Sequence, residues 1–181
     1  MAKQTNRPTI RANNTVNGAL AACYISMKMN RDGSPSDTMQ RYNFAAVEKL
    51  DTDMEYEKVS FTPLGADKKV DKLTGQKGTG SGTFIFNTSM FLMMYKYHKE
   101  TGQDLYFDLV VTNDDDAFSG NDGTGDGKSK GQTVTHKNCL LDKLPIARLD
   151  TNSSILKANL TFTYEDVIIG NTFGPVQEGF F

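Results

Sequence analysis

The sequence predicts a mainly β domain (α+β in class) of antiparallel sandwich or barrel-like form, with a single flanking helix. Three observations carry that prediction. Period-two alternation dominates the chain, one segment shows helical spacing instead, and two stretches dense in Gly, Asp, Ser and Lys have little to bury.

The alternation is cleanest from Leu156 to Tyr164, where Leu156, Ala158, Leu160, Phe162 and Tyr164 fall on one side and Lys157, Asn159, Thr161 and Thr163 on the other. Leu105, Phe107, Leu109 and Val111 form a similar stripe. Further strands are predicted over Leu20–Lys28, Tyr42–Leu50, Glu55–Leu64, Thr79–Asn87 and Thr133–Leu141, all supplied with threonine, valine or aromatics. The helix is predicted over Ser89–Thr101, with Thr88 or Ser89 to cap it and Gly102 to end it. Met90, Met93, Met94 and Tyr97 make its apolar stripe, widened by Phe91 and Leu92, so packing against a sheet holds it rather than intrinsic propensity. Residues 65–77 and 113–131 are predicted loops, the first rich in Lys and Asp, the second in Gly and Asp. With no internal repeat and no boundary, residues 1–181 read as one domain.

Composition excludes several functions. The balance of 20 basic against 22 acidic residues leaves a net charge of −2, without the basic excess of a protein that grips nucleic acid. No run approaches the roughly 18 apolar residues of a membrane span, and the amino terminus lacks a signal-peptide core, so the expectation is synthesis in a cytoplasm. Cys23 and Cys139 lie far apart in the chain and are expected to be free thiols.

No motif for chemistry survives inspection. Gly123–Ser129 ends like a phosphate-binding loop, but Asp122 stands where that motif needs glycine, and a strand rather than a helix is predicted to follow. Gly78–Gly82 runs on into a strand at Phe84-Ile85-Phe86, where a dinucleotide fingerprint opens a helix. Glycines there thin a strand at the close approach of another backbone or subunit. Asn113, Asp114, Asp115, Asp116, Asp122 and Asp126 suggest calcium, yet Phe118 occupies a ligand position and no spaced Glu closes the loop. His98 and His136 are isolated, and no nucleophile–base pair is evident. The expectation is no catalytic residue, no metal and no cofactor.

The features nevertheless come in a telling order. Lys77–Gly82 leads to the Met- and Tyr-rich helix, then Thr101-Gly102-Gln103-Asp104, Tyr106-Phe107-Asp108, Val111-Thr112-Asn113-Asp114, Lys137–Asp142 and Leu160–Asp166. This series resembles the tail tube proteins of contractile phages, defective prophages and tail-like bacteriocins of Gram-positive bacteria. The resemblance runs from about Asn14 to Ile169 and is strongest from Gly78 onward. It implies a structural protein of the virion tail, made in the host cytoplasm. Its subunits would form hexameric rings stacked into a tube, with two long hairpins from each closing an inner barrel. The implied partners are further copies of the chain, the tail sheath, baseplate and tail terminator proteins, and DNA passing without sequence-specific binding. The 113–131 loop and residues 170–181 depart from the family pattern.

On this basis the first hairpin joins Glu55–Leu64 to Thr79–Asn87, and the second joins Thr133–Leu141 to Ser154–Asp166. Ser60, Thr62, Thr79, Ser81, Thr83, Lys157, Asn159, Thr161 and Thr163 are the candidates to face the bore. Asp67, Lys68, Lys69, Asp71, Lys72 and Lys77 are the candidates for ring-to-ring stacking. A secretion-system tube or a DNA-free tail shares this architecture. The alternative from another class is a monomeric β-sandwich module binding a ligand or calcium through the Asp/Gly loop.

Overall fold

The computed structural model of the chain describes residues 21–44, 46–65, 67–113 and 132–170. Among these are eight strands and one helix: β1 (Ala21–Met29), β2 (Pro35–Asn43), β3 (Val47–Phe61), β4 (Val70–Ile85), α1 (Met90–Thr101), β5 (Phe107–Asn113), β6 (Gln132–Leu141), β7 (Lys157–Tyr164) and β8 (Asp166–Ile169). Nearly all of the 113–131 loop, with its calcium and phosphate-loop candidates, lies outside the described residues. So does the extension beyond Gly170.

Every described strand pairing is antiparallel, in the order β2-β1-β5-β6-β7-β4-β3, with β8 on the other side of β6. Strand β6 belongs to two sheets. Its first part pairs with β5 and β8, and its last two residues, Leu140 and Leu141, pair with Thr163 and Phe162 of β7. The crossing point is a β-bulge at Asn138, whose φ of 52° lies in the left-handed region that asparagine tolerates better than most residues. Asp108 holds the bulge by accepting the Asn138 N–H at 3.2 Å and pairing with Lys137, while the Asn138 amide donates to Glu165 at 2.7 Å.

The core lies between the two sheets and under α1. Strand β1 contributes Cys23, Ile25, Met27 and Met29, β5 contributes Phe107 and Leu109, and β7 contributes Ala158, Leu160, Phe162 and Tyr164. The helix buries Met90, Phe91, Met94 and Tyr97, the predicted stripe with Phe91 in place of Met93. Phe91 meets Phe84 with ring centroids 4.8 Å apart, and Phe44 packs on both. Each buried aromatic contributes roughly 1.5–3 kcal/mol. Gly102 ends the helix at φ 68°, its N–H donating to the His98 carbonyl at 2.8 Å.

Of the β4 glycines, Gly82 meets another backbone, with a Cβ falling 2.8 Å from the Lys49 carbonyl, while Gly78 and Gly80 answer to side chains of the same chain. Gly78 stands opposite Tyr164 and Gly80 opposite Phe162, and each aromatic ring lies across its glycine. A Cβ at Gly80 would fall 2.2 Å from the Phe162 ring, and one at Gly78 would fall 2.3 Å from the Tyr164 ring.

Three expectations are corrected. The loop expected over 65–77 is shorter, because β4 begins at Val70 and carries Asp71, Lys72 and Lys77, with a bulge at Thr74. Both faces of that stretch meet solvent, so no apolar alternation marked it in the sequence. The first hairpin exists in a different register: Glu55–Phe61 pairs with Val70–Lys77, and Thr79–Phe84 pairs with Val47–Asp53. The second hairpin is not a simple pair, since β7 lies along β4 for its full length and touches β6 at two positions. Alternation fixes which face a residue takes but not which strand lies beside it. Strand β8 and most of β2 were not anticipated, and the Tyr42–Leu50 candidate divides between the end of β2 and the start of β3 around the buried Phe44.

Gly80→Ala is expected to destabilise the subunit by about 1–3 kcal/mol, because the Phe162 ring must leave its seat. Gly75→Ala, whose new Cβ first meets the movable Glu57 carboxylate at 3.2 Å, should cost about 0.5 kcal/mol. Urea unfolding of the two variants measures the difference; equal midpoints would show that the rings are not seated on the glycines.

Candidate functional site

Strands β3, β4 and β7 form a three-stranded sheet whose two faces differ completely. Inward lie Leu50, Thr52 and Met54 of β3, Gly78, Gly80, Gly82 and Phe84 of β4, and the buried side chains of β7. Outward, the register sets polar residues in rows across the strands: Lys49–Thr83–Asn159, Asp51–Ser81–Thr161 and Asp53–Thr79–Thr163. The Thr83 hydroxyl donates to the Asn159 side chain at 3.2 Å, Lys49 pairs with Asp51, and Lys157 pairs with Glu48 at 2.9 Å.

Seven of the nine bore candidates therefore share one face: Thr79, Ser81, Thr83, Lys157, Asn159, Thr161 and Thr163. The other two are placed elsewhere. Ser60 falls on the opposite parity of β3 from Asp51 and Asp53, where it donates to Asp71, and Thr62 lies past the end of β3. Sequence reasoning missed the charged row of β3 on the shared face, Lys49, Asp51, Asp53, Glu55 and Glu57. Alternation against Leu50, Thr52 and Met54 was the signal that could have found it. With Lys72, Lys77 and Lys157 added, and Glu48 paired to Lys157, lysines and carboxylates are nearly balanced on this face.

Beyond Gly78 the sheet loses β7, and β3 and β4 continue as a two-stranded ribbon. The overhang from Val70 to Lys77 is eight residues, about 26 Å of strand. Tyr56, Val59, Phe61, Val70 and Leu73 are about half exposed on it, and the outer edge of β3 has no strand partner among the described residues. Of the six stacking candidates, Asp67, Lys68 and Lys69 sit in the turn at the tip, while Asp71, Lys72 and Lys77 lie along the ribbon.

The base of the ribbon is tied to the core by two polar contacts. The Tyr164 hydroxyl donates to the Asp53 carbonyl at 2.8 Å, and Nε2 of His136 lies 3.1 Å from the Thr52 hydroxyl. His136 is 3% exposed, and its ring meets Tyr164 edge-on at 4.8 Å. Its Nδ1 has no hydrogen-bond partner among the described residues, and burial lowers the imidazole pKa. Cys23 and Cys139 are free and buried, and burial pushes both thiols up to about 12, which keeps them unreactive. No cluster of three metal-ligating side chains exists among the described residues.

A β domain with one polar sheet face and a projecting, unpartnered ribbon is a subunit built for assembly. A family model described as phage tail tube protein matches residues 8–169, and the chain belongs to that family. It is 29% identical over 157 residues to YqbM, an uncharacterized protein of Bacillus subtilis strain 168, covering 87% of this chain and 91% of YqbM. XkdM of the phage-like element PBSX, from the same organism, is 28% identical over the same shares. Among solved structures, a chain of the anti-feeding prophage's tube-terminating cap structure matches with a TM-score of 0.57 at 9% identity, over 94% of this chain and 99% of that one. A chain of the sheath–tube complex of an extracellular contractile injection system matches with a TM-score of 0.57 at 11% identity, over 88% and 93%. These likenesses show a shared fold.

His136 makes subunit stability depend on pH. Its ordinary pKa is 6.5 and the folded value is lower, so the unfolded chain binds more protons between the two. This contribution is fully present above pH 6.5 and is lost as pH falls through the folded pKa. The urea midpoint should hold steady above neutrality and decline below pH 6.5, with a smaller decline in His136→Gln. An equal decline in both proteins would assign it to other groups.

Proposed function

We propose that the chain assembles into hexameric rings that stack into the inner tube of a contractile tail or tail-like particle. The β3–β4–β7 face is turned to the bore. The observation that carries this reading is the ribbon beyond Gly78, whose apolar side chains and long strand edge no other described residue covers. A two-stranded ribbon is marginal in water, and an open edge invites another chain. Neighbouring copies around a closed ring supply the missing contacts.

The polar face suits a conduit. Its hydroxyls and amides hold water, and its near-balanced charge offers phosphate no grip, so DNA passes without sequence-specific binding. Asp67, Lys68, Lys69, Asp71, Lys72 and Lys77 are then placed to meet adjacent copies, the first three at the leading end of the ribbon. The likeness to a chain of a sheath–tube complex supports a sheath around the tube, and the likeness to a chain of a tube-terminating cap structure supports a terminator at its end. A baseplate starts the tube, and the chain is made in the host cytoplasm before joining the virion tail.

Negative-stain microscopy at rising concentration, with and without tail particles as seeds, tests the assembly. Hollow tubes with sixfold end views are expected. A monomer at every concentration, seeded or not, would overturn the reading. The paired substitution Tyr56→Ser with Leu73→Ser should leave subunit stability within about 0.5 kcal/mol while raising the critical concentration for assembly at least tenfold. An unchanged critical concentration would remove the ribbon from the interface.

Ser81→Lys with Thr161→Lys should leave tubes intact but slow DNA ejection, because added cations in the bore hold phosphate. Ejection at the wild-type rate from such tails would show that this face does not meet the DNA.

A further inference from the structure

Two leucines stand apart on the described surface. Leu64 has a relative exposure of 108% and Leu149 of 97%, whereas no other large apolar side chain among the described residues exceeds 65%. Leu64 lies in the turn between β3 and β4. Leu149 lies in the connector between β6 and β7, residues 142–156, which has no regular secondary structure. Connections of this length inside compact domains usually have work to do. This one is anchored at both ends: the Asp142 N–H donates to the Thr161 carbonyl at 3.0 Å, and the Phe86 N–H donates to the Leu156 carbonyl at 2.8 Å. Pro145 is buried, but Ile146, Arg148, Leu149 and Asp150 are exposed.

The connector that carries Leu149 is anchored in the Ile85 half of the sheet, at Phe86 and Thr161, and the turn that carries Leu64 lies beyond its other end. Strand β7 runs antiparallel to β4, with Lys157 opposite Ile85, so the connector opens at the Ile85 end of β4. The β3–β4 turn sits at the Val70 end, sixteen residues or about 50 Å of strand away. The charges beside the leucines complement each other. Leu149 is flanked by Arg148 and Asp150, and Leu64 is followed by Asp67, Lys68 and Lys69. Lys68, Lys69 and Arg148 have no ion-pair partner among the described residues.

We propose that the β6–β7 connector is the socket for the β3–β4 turn of a second copy displaced along the strand direction. Leu64 packs on Leu149, Asp67 meets Arg148, and Lys68 and Lys69 meet Asp150. The contact joins two unlike patches of the subunit, so repeating it propagates along an axis instead of closing. It rests on the tube reading and adds the surface that receives the stacking turn.

The test uses the full chain carrying Leu64→Cys and Leu149→Cys together, assembled and then treated with a short bis-maleimide. The native thiols do not interfere, being buried and unreactive. Crosslinked species extending in a ladder well past the dimer are expected, with neither single variant exceeding a dimer. Leu149→Asp, at an exposed position, should fold with the wild-type circular dichroism and form rings that do not elongate. Restored elongation is expected when Lys69→Asp is combined with Asp150→Lys, each change alone being impaired. Tubes that form equally well with Leu149→Asp, and give no ladder in the double cysteine variant, would overturn the pairing while leaving the tube intact. Wild-type protein that never forms tubes would sink the tube reading, and this pairing with it.

Discussion

The seating of Phe162 and Tyr164 on Gly80 and Gly78 is the constraint from which the rest of the molecule follows. Two rings lying across two bare backbone positions oppose a one-residue slip of β7 against β4, which would set Phe162 against Thr79 or Ser81 and Tyr164 against Lys77 or Thr79 and turn the apolar side of β7 outward. With that register set, strand alternation turns every polar residue of β7 outward, opposite the hydroxyls of β4. The same Tyr164 then reaches past β4 to the backbone of β3 at Asp53, beside the His136–Thr52 contact. The position of the ribbon is thus inherited from two aromatic side chains near its base. Glycines that in isolation suggest flexibility are here what makes the seam specific.

Strand β6 performs the second organising task by serving both sheets. An antiparallel strand paired evenly along its length would hold the two layers apart, or merge them into one flat sheet. The bulge at Asn138 turns the strand so that His136 and Cys139 both point into the core, while Leu140 and Leu141 begin a new pairing with β7. The ion pair of Asp108 with Lys137 and the bond from Asn138 to Glu165 brace the turn from three strands' ends. The outer polar face is therefore rigidly referenced to the helix and core behind it.

Much of this was legible in the sequence, and the failures have a common cause. The β-rich class, the helix with its Gly102 cap, and the inward and outward faces of β7 and β5 were read correctly from periodicity, because one side of each is buried. Seven of the nine bore candidates share a face for the same reason. The ribbon's inner half, Val70 to Lys77, went unseen because in the free subunit neither side is buried, and a strand without a buried side has no alternation to read. Partner choice was also illegible: β7 pairs with β4, which precedes it in the chain by more than seventy residues, and not with β6 as its main neighbour. The charged row of β3 was available in the alternation of Leu50, Thr52 and Met54, but the strand had been started too late to include it.

The ribbon also bears on the timing of assembly. A subunit in solution holds about 26 Å of paired strand with nothing among the described residues behind it, and fixing those backbones carries an entropic penalty that few contacts offset. When two free subunits meet, both ribbons have to be ordered for one shared interface. When a subunit meets a growing end, the receiving surface is already in place, and only the newcomer loses freedom. On the tube reading the first step is thus disfavoured relative to every later one, and an ordered ring already in place is the favoured point of growth.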